Sequence, residues 1–195
     1  MRLTSTRDKT VNASFKDAIQ QCMPQDGGLY VPDGAADLRR WILYTNEQTS
    51  FSSIAGALTS AFINNEYSPI ICETVATKAF PFEPVLKQLD EKLFVLELFH
   101  GPTCCYRDFG VSYLAAMLET TLHMENKNSI LLDYTSGEHG AIIAKALKGK
   151  KHLKSILLYP KGKVCGLNEE DFVWNGGNIF PIEIDGETEL GDRKS

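Results

Sequence analysis

Between Leu93 and Gly110 a strand pattern, a Gly-Pro turn and a helix pattern meet, and this junction restricts the fold more than any other stretch of the chain. Leu93-Phe94-Val95-Leu96 is a short unbroken apolar run that reads as a buried strand, and Glu97-Leu98-Phe99 carries it to the break at His100-Gly101-Pro102-Thr103. From Asp108 onward, Phe109, Tyr113, Leu114, Met117 and Leu118 recur on one helical face, and the pattern ends before Asn126. Junctions of this kind are where open α/β sheets hold their ligands.

The alternation continues downstream. Ile130-Leu131-Leu132 reads as a second strand, followed by the loop Asp133 to Gly140 and a helix over Ala141 to Leu147. Ser155 to Pro160 and Asn178 to Ile184 supply a third strand and a fourth. Strands alternating with helices imply a parallel sheet with right-handed crossovers. Upstream the signals are mostly helical. Ser14 caps a helix over Phe15 to Met23, with Asp17 as an imperfect capping box and Pro24 beyond its end. Asp26-Gly27-Gly28 is a tight turn before the extended Leu29-Tyr30-Val31. Ser50 or Ser52 opens a helix running to Asn64, and Ser68-Pro69 opens another through Thr77. Phe80-Pro81-Phe82-Glu83-Pro84 is a stiff connector. The fold class expected is therefore α/β: a mostly helical N-terminal unit, 1–92, then a small open parallel sheet with flanking helices, 93–186, and a tail, 187–195.

Composition narrows the function. A chain of 195 residues that is 43% hydrophobic can bury a core. Its net charge of -5, with Lys and Arg scattered except in one cluster, offers no broad field for nucleic acid. No stretch is apolar for long enough to cross a bilayer and the first residues lack a signal-peptide core, so neither nucleic acid nor membrane is expected as a partner, and the cytoplasm is the expected location. Cys22, Cys72, Cys104, Cys105 and Cys165 match no zinc spacing, so no metal is expected and the thiols read as reduced and mostly buried. The adjacent Cys104-Cys105 pair reads as two buried thiols in preference to a strained dithiol. Lys145, Lys148, Lys150, Lys151 and Lys154, with His152, form a basic run at a helix end, which reads as a solvated face in preference to a polyanion site.

The string ELFHGPTCCYRDFG, with His100, Gly101, Pro102, Thr103 and Asp108 in its loop, resembles the signature of threonine synthase, a fold-type II pyridoxal-phosphate enzyme. The segment from Ser5 to Pro32, with its DGGLYVP turn, resembles the same family's N-terminus. LLYPKGKVCGLNEEDF and NGGNIFPIEIDG resemble its next two blocks, although the family usually has a serine-proline and a glutamine where Cys165-Gly166 and Asn168 stand. The resemblance implies a lyase of threonine biosynthesis that converts O-phospho-L-homoserine to L-threonine and phosphate with pyridoxal phosphate. The loop TSGEHG matches a family loop that usually reads Ser-Gly-Asp-Thr-Gly, which packs on the cofactor ring and on the substrate's anionic groups. By that match Glu138 takes the cofactor-binding position, and Ser136, Gly137, His139 and Gly140 take substrate- or anion-binding positions. On its residues alone the same loop reads as a helix entry turn with a serine cap, or as an anion site at a helix N-terminus.

The departure that matters most is Arg107, which stands where the family's signature has its Schiff-base lysine. An imine needs an amine able to lose its proton, and a guanidinium stays charged. Arg107 is thus expected to be non-functional in that role and pyridoxal phosphate to be absent or weakly bound. With Asp108 it reads as an ion pair at a helix start or as an anion clamp. His100 reads equally as a structural and as a catalytic loop histidine. The family's phosphate cradle and pyridine-nitrogen partner are expected beyond residue 195. Two expectations follow: a truncated, catalytically inactive homologue, or a binding module for a small anion or a protein. In both cases the α/β unit should present an apolar face to a second copy or another partner.

Overall fold

In the computed structural model, which describes residues 2–43, 45–135, 137–162 and 177–185 and only the backbone of Arg40, serines start the N-terminal helices as the sequence predicts. Ser136, Cys165, Gly166, Asn168 and the tail from 187 lie outside the described residues. The chain divides into two compact units, 1–83 and 84–195.

In the first unit, β1 (Leu3–Ser5) lies between β2 (Asn12–Ala13) and β3 (Tyr30–Pro32) in an antiparallel sheet. α1 (Phe15–Gln21) starts at Ser14, whose Oγ accepts the Asp17 amide and donates to the Asp17 carboxylate. Two further amides of its first turn, those of Phe15 and Lys16, donate to the two oxygens of Glu66, 2.8 and 3.0 Å away. A carboxylate at a helix N-terminus satisfies orphan N–H groups and complements the dipole. The turn at Asp26 is closed by its own side chain: Oδ1 accepts from the Gly28 amide and from Ser5 Oγ, and both bonds hold this carboxyl below the usual carboxylate range. Gly27 takes a φ of +72°, which explains the glycine there. α2 (Arg39–Ile42), α3 (Phe51–Ile63, capped by Ser50) and α4 (Pro69–Ala79) complete the unit. α3 and α4 pack through Gly56, where an added Cβ would meet Glu73 Cα at 2.8 Å.

The second unit starts with a hairpin. β4 (Val85–Asp90) pairs antiparallel with β5 (Leu93–Glu97). Two sequence expectations are corrected by it. Leu93 to Leu96 are exposed, not buried, and β5 takes no part in the parallel sheet. The division between units also falls after Glu83 and not after Lys92, because β4, whose Val-Leu-Lys-Gln-Leu-Asp mixes polar and apolar residues without strict alternation, belongs with its hairpin partner. α5 (Arg107–Glu125) ends at Asn126 in the left-handed conformation, at the predicted place. Then follow β6 (Ser129–Tyr134), α6 (Glu138–Leu147), β7 (Leu153–Pro160) and β8 (Ile179–Ile184). The sheet runs β6-β7-β8 with both pairs parallel.

One face of that sheet is covered. Leu153, Ser155 and Leu157 of β7 are buried on the side where α6 packs, and α6 packs in turn on α5. Polar ties fix this layer. Glu119 of α5 accepts the amides of Lys151 and His152 just before β7, and Asn178 links Gly149, Leu147 and Leu153 through its side chain. The other face, carrying Ile130, Leu132, Ile156, Leu158 and Ile182 in register, stays largely open, with Ile130 61% and Leu132 66% exposed.

The loop before α5 is shaped by Asp108, 2% exposed in the first helical turn. Its carboxylate accepts the Thr103 amide at 2.9 Å and the Thr103 hydroxyl at 2.8 Å. Gly101 lies against the same carboxylate, leaving no room for a side chain.

Two substitutions test these close contacts. Gly56→Ala gains helix propensity, about 1 kcal/mol, but forces α3 from α4; overpacking of this kind costs about 1–3 kcal/mol, so the urea midpoint should fall. Asp108→Ala leaves the half-buried Thr103 donors without their acceptor and should cost about 1 kcal/mol in the same measurement. Unchanged midpoints would count against both contacts.

Candidate functional site

Two helices begin side by side at the signature. α5 starts at Arg107, directly after Cys105 and Tyr106, and α6 starts at Glu138. Arg107 Nη1 lies 3.5 Å from Glu138 Oε2, with the two side chains 44% and 59% exposed. The guanidinium also sits over the Tyr106 ring, 5.3 Å from its centroid. A half-exposed pair at that distance stabilises the fold little, but it gives the arginine a counter-charge. Asp108 is not the partner the sequence offered. It points inward and is committed to Thr103, so the ion pair forms across the two helices and not within α5.

Glu138 also receives the Cys105 thiol. Burial pushes that thiol's pKa up, and the hydrogen bond to the carboxylate pushes it further, so Cys105 stays protonated and unreactive. Its neighbour corrects one expectation: Cys104 is exposed, in the left-handed region with φ +57°, while Cys105 alone of the two is buried. Cys22 is exposed as well, and Cys72 is buried as expected.

Asp133 lies near the end of β6. His139 Nε2 is 3.8 Å from Asp133 Oδ1, whereas Asp133 Oδ2 is buried with no hydrogen-bond partner. Burial raises this carboxyl above the usual range, and His139 and the Tyr134 amide pull it part of the way back. The TSGEHG loop closes on itself through Thr135. Its Oγ1 accepts the Gly137 amide at 3.1 Å and the Gly140 amide at 2.9 Å, and an added Cβ on Gly140 would press into the Thr135 side chain. The threonine thus takes amides that the sequence reading offered to an anion.

Of the residues singled out from the sequence, the structure brings Arg107 to Glu138 and gathers Gly101, Thr103 and Asp108 into one buried knot. His100 stays apart, bonded to Glu97 at 2.9 Å and stacked on Phe99; Pro102 is exposed. Sequence reasoning read Cys105 as a buried thiol, which it is, but missed its contact with Glu138, and it missed the roles of Asp133 and Thr135. The threonine had a local signal, a hydroxyl two residues before a glycine that enters a helix, whereas the contacts of Cys105 and Asp133 are long-range and have none. Among the described residues no group of three or more His, Cys, Asp or Glu side chains is placed to hold a metal.

This geometry has close counterparts. Residues 2–80 match the family model described as the threonine synthase N terminus. The threonine synthase of Escherichia coli is 33% identical over 187 residues, which is 96% of this chain and 43% of the relative, and that of Schizosaccharomyces pombe is 30% identical over 197 residues. The crystal structure of PLP-bound threonine synthase from Brucella melitensis superposes with a TM-score of 0.82 at 27% identity, over 99% of this chain and 43% of that one. The Escherichia coli crystal structure gives 0.80 at 32% identity. The chain spans less than half the length of the relatives it matches. By sequence and by fold alike, the chain belongs to the threonine synthase family, matching its N-terminal region.

Proposed function

We propose that this chain is a non-catalytic member of its family, acting as a protein-interaction module, and that it does not convert O-phospho-L-homoserine to L-threonine and phosphate. One observation carries the reading: Arg107, at the position that the signature gives to the Schiff-base lysine, is a guanidinium paired to Glu138. Pyridoxal phosphate serves as an electron sink only when an amine condenses with its aldehyde, and a guanidinium supplies none. The residues present therefore do not fit the cofactor in that role. A small-anion site at the same place is less favoured, because Arg107 already faces a carboxylate and the Gly137 and Gly140 amides are taken by Thr135.

The interaction reading rests on the open sheet. Parallel sheets are normally covered on both faces, and here the face bearing Ile130, Leu132 and Ile182 is exposed, as are Leu86, Phe94 and Leu96 of the hairpin. Contiguous apolar surface of this kind marks an interface.

The first test addresses chemistry. Wild type mixed with pyridoxal phosphate and reduced with borohydride should carry no adduct at one preferred lysine. Arg107→Lys should behave the same way. The new ammonium would be half exposed, so it is not driven to lose its proton, and it would face Glu138, which holds the proton on. Phosphate release from O-phosphohomoserine should match buffer for both proteins; release well above that background by either one would sink the proposal.

The second test addresses the surface. Sedimentation velocity should show association that strengthens with concentration. Leu132→Glu should weaken it about ten- to a hundredfold, the worth of one buried leucine. A wild type that remains monomeric at high concentration and binds no hydrophobic dye would remove the basis for an interaction role.

A further inference from the structure

We propose that His123 and His152 form a clip for a single divalent ion of the nickel, copper or zinc class, joining the last turn of α5 to the turn that enters β7. His123 Nδ1 and His152 Nε2 are 3.1 Å apart, with ring centroids 5.1 Å apart and planes at 59°. Two metal–nitrogen bonds of about 2.05 Å spanning this gap meet at about 98°, between the octahedral value of about 90° and the tetrahedral value of about 109°. The ion would sit off the line joining the nitrogens. Reaching it takes a turn of the rings about χ2, a soft torsion, and His123, exposed on the helix, is free to make it.

The second observation is the far side of His152. Its Nδ1 lies 3.1 Å from the Lys127 carbonyl, an acceptor only, so this nitrogen carries the proton. That leaves Nε2 as a lone pair accepting from His123 Nδ1, and an ion taking both nitrogens displaces that one proton to His123 Nε2, the ring's other nitrogen. A ring N–H held by a backbone carbonyl is the arrangement that orients ligating histidines and fixes their tautomer. The backbone of His152 is fixed too, its amide being bonded to Glu119, which precedes His123 by one helical turn on the same face of α5.

The surrounding charge admits a cation. The clip lies at the C-terminal end of α5, the negative end of its dipole. Lys127, four residues after His123, is bound to Glu125 at 2.8 Å, while Lys151, next to His152 in the chain, is exposed to solvent that screens it. Because no third His, Cys, Asp or Glu ligand converges among the described residues, water completes the coordination sphere. An open, two-histidine site of this kind favours ions that prefer imidazole over those that prefer carboxylate oxygen. Binding to the folded state alone would stabilise the tie between α5 and the turn that enters β7.

The experiment is a calorimetric titration of the untagged full chain with nickel ion at neutral pH, repeated with His123→Gln, His152→Gln, and the thiol controls Cys22→Ser and Cys104→Ser. One ion should bind per chain, either histidine variant should weaken binding about tenfold or more, and the thiol controls should leave it unchanged. His123→Gln is the decisive variant, since that ring is exposed and its loss leaves the fold intact by far-UV circular dichroism. Magnesium should not bind at the same concentration. A histidine variant that titrates like wild type, binding abolished by a thiol variant, or no heat from wild type at millimolar nickel would each overturn the clip.

Discussion

A carboxylate removed from water must find donors, and Asp108 finds both of its donors on Thr103. Much of the signature's geometry follows from that requirement. The bonds draw the loop back over the first turn of α5, which brings Gly101 so close to the carboxylate that only a glycine fits. With Asp108 directed inward, the residue before it on the helix is directed outward, and Arg107 meets the start of α6 instead of its sequence neighbour. Cys105, three positions before Asp108, is carried inward with it and lies under Glu138. One buried acid thus decides which side chains of the signature face the helix junction and which face the core.

The same accounting separates the two faces of the parallel sheet. Toward α6, polar groups are matched with care: Asn178 serves three backbone partners and Glu119 two. Toward the open face there is little to match, because its exposed groups are Ile130, Leu132 and Ile182, with Lys154 beside Ile130 reaching solvent. A surface that is apolar and in register across three strands costs free energy while it is wet, and that cost is the physical argument for a covering partner. The matching on that side is incomplete at Ser155 Oγ and at Asp133 Oδ2, both buried with no partner among the described residues, and burial accordingly raises the Asp133 carboxyl's pKa.

How far the sequence could be read depended on whether a feature was local. Ser14, Ser50 and Asn126 announce helix ends through short-range bonding and backbone preference, and the structure places those ends where they were expected. Strands β6, β7 and β8 were legible as apolar runs. β4 was not, since neither alternation nor a continuous apolar run marks Val85–Asp90, and missing it made β5 look like a central strand. An apolar run such as Leu93–Leu96 has the same composition whether it lies in a core or in an exposed hairpin, so periodicity alone could not decide. The candidate site divided in the same way. The sequence offered Asp108 to Arg107; its bonds to Thr103, five residues away, are local but were not read, whereas the pairing of Arg107 with Glu138 needs the packing of α5 on α6, which no local pattern encodes.

Helix α5 connects these observations. With 19 residues it is about 28 Å long, so the Arg107 end and the His123 end are too far apart to interact directly. Sites more than about 10 Å apart that share no partners respond independently to substitution. What stands at the N-terminal end therefore places no constraint on what the C-terminal end binds. The two ends are nevertheless anchored on consecutive elements: the first turn through Glu138 of α6, the last turn through His152 at the entry to β7. Both anchors lie on the side of the sheet that α6 covers, and neither involves the residues of the open face, so the chain can vary its helix-end chemistry while it keeps the surface that a partner would cover.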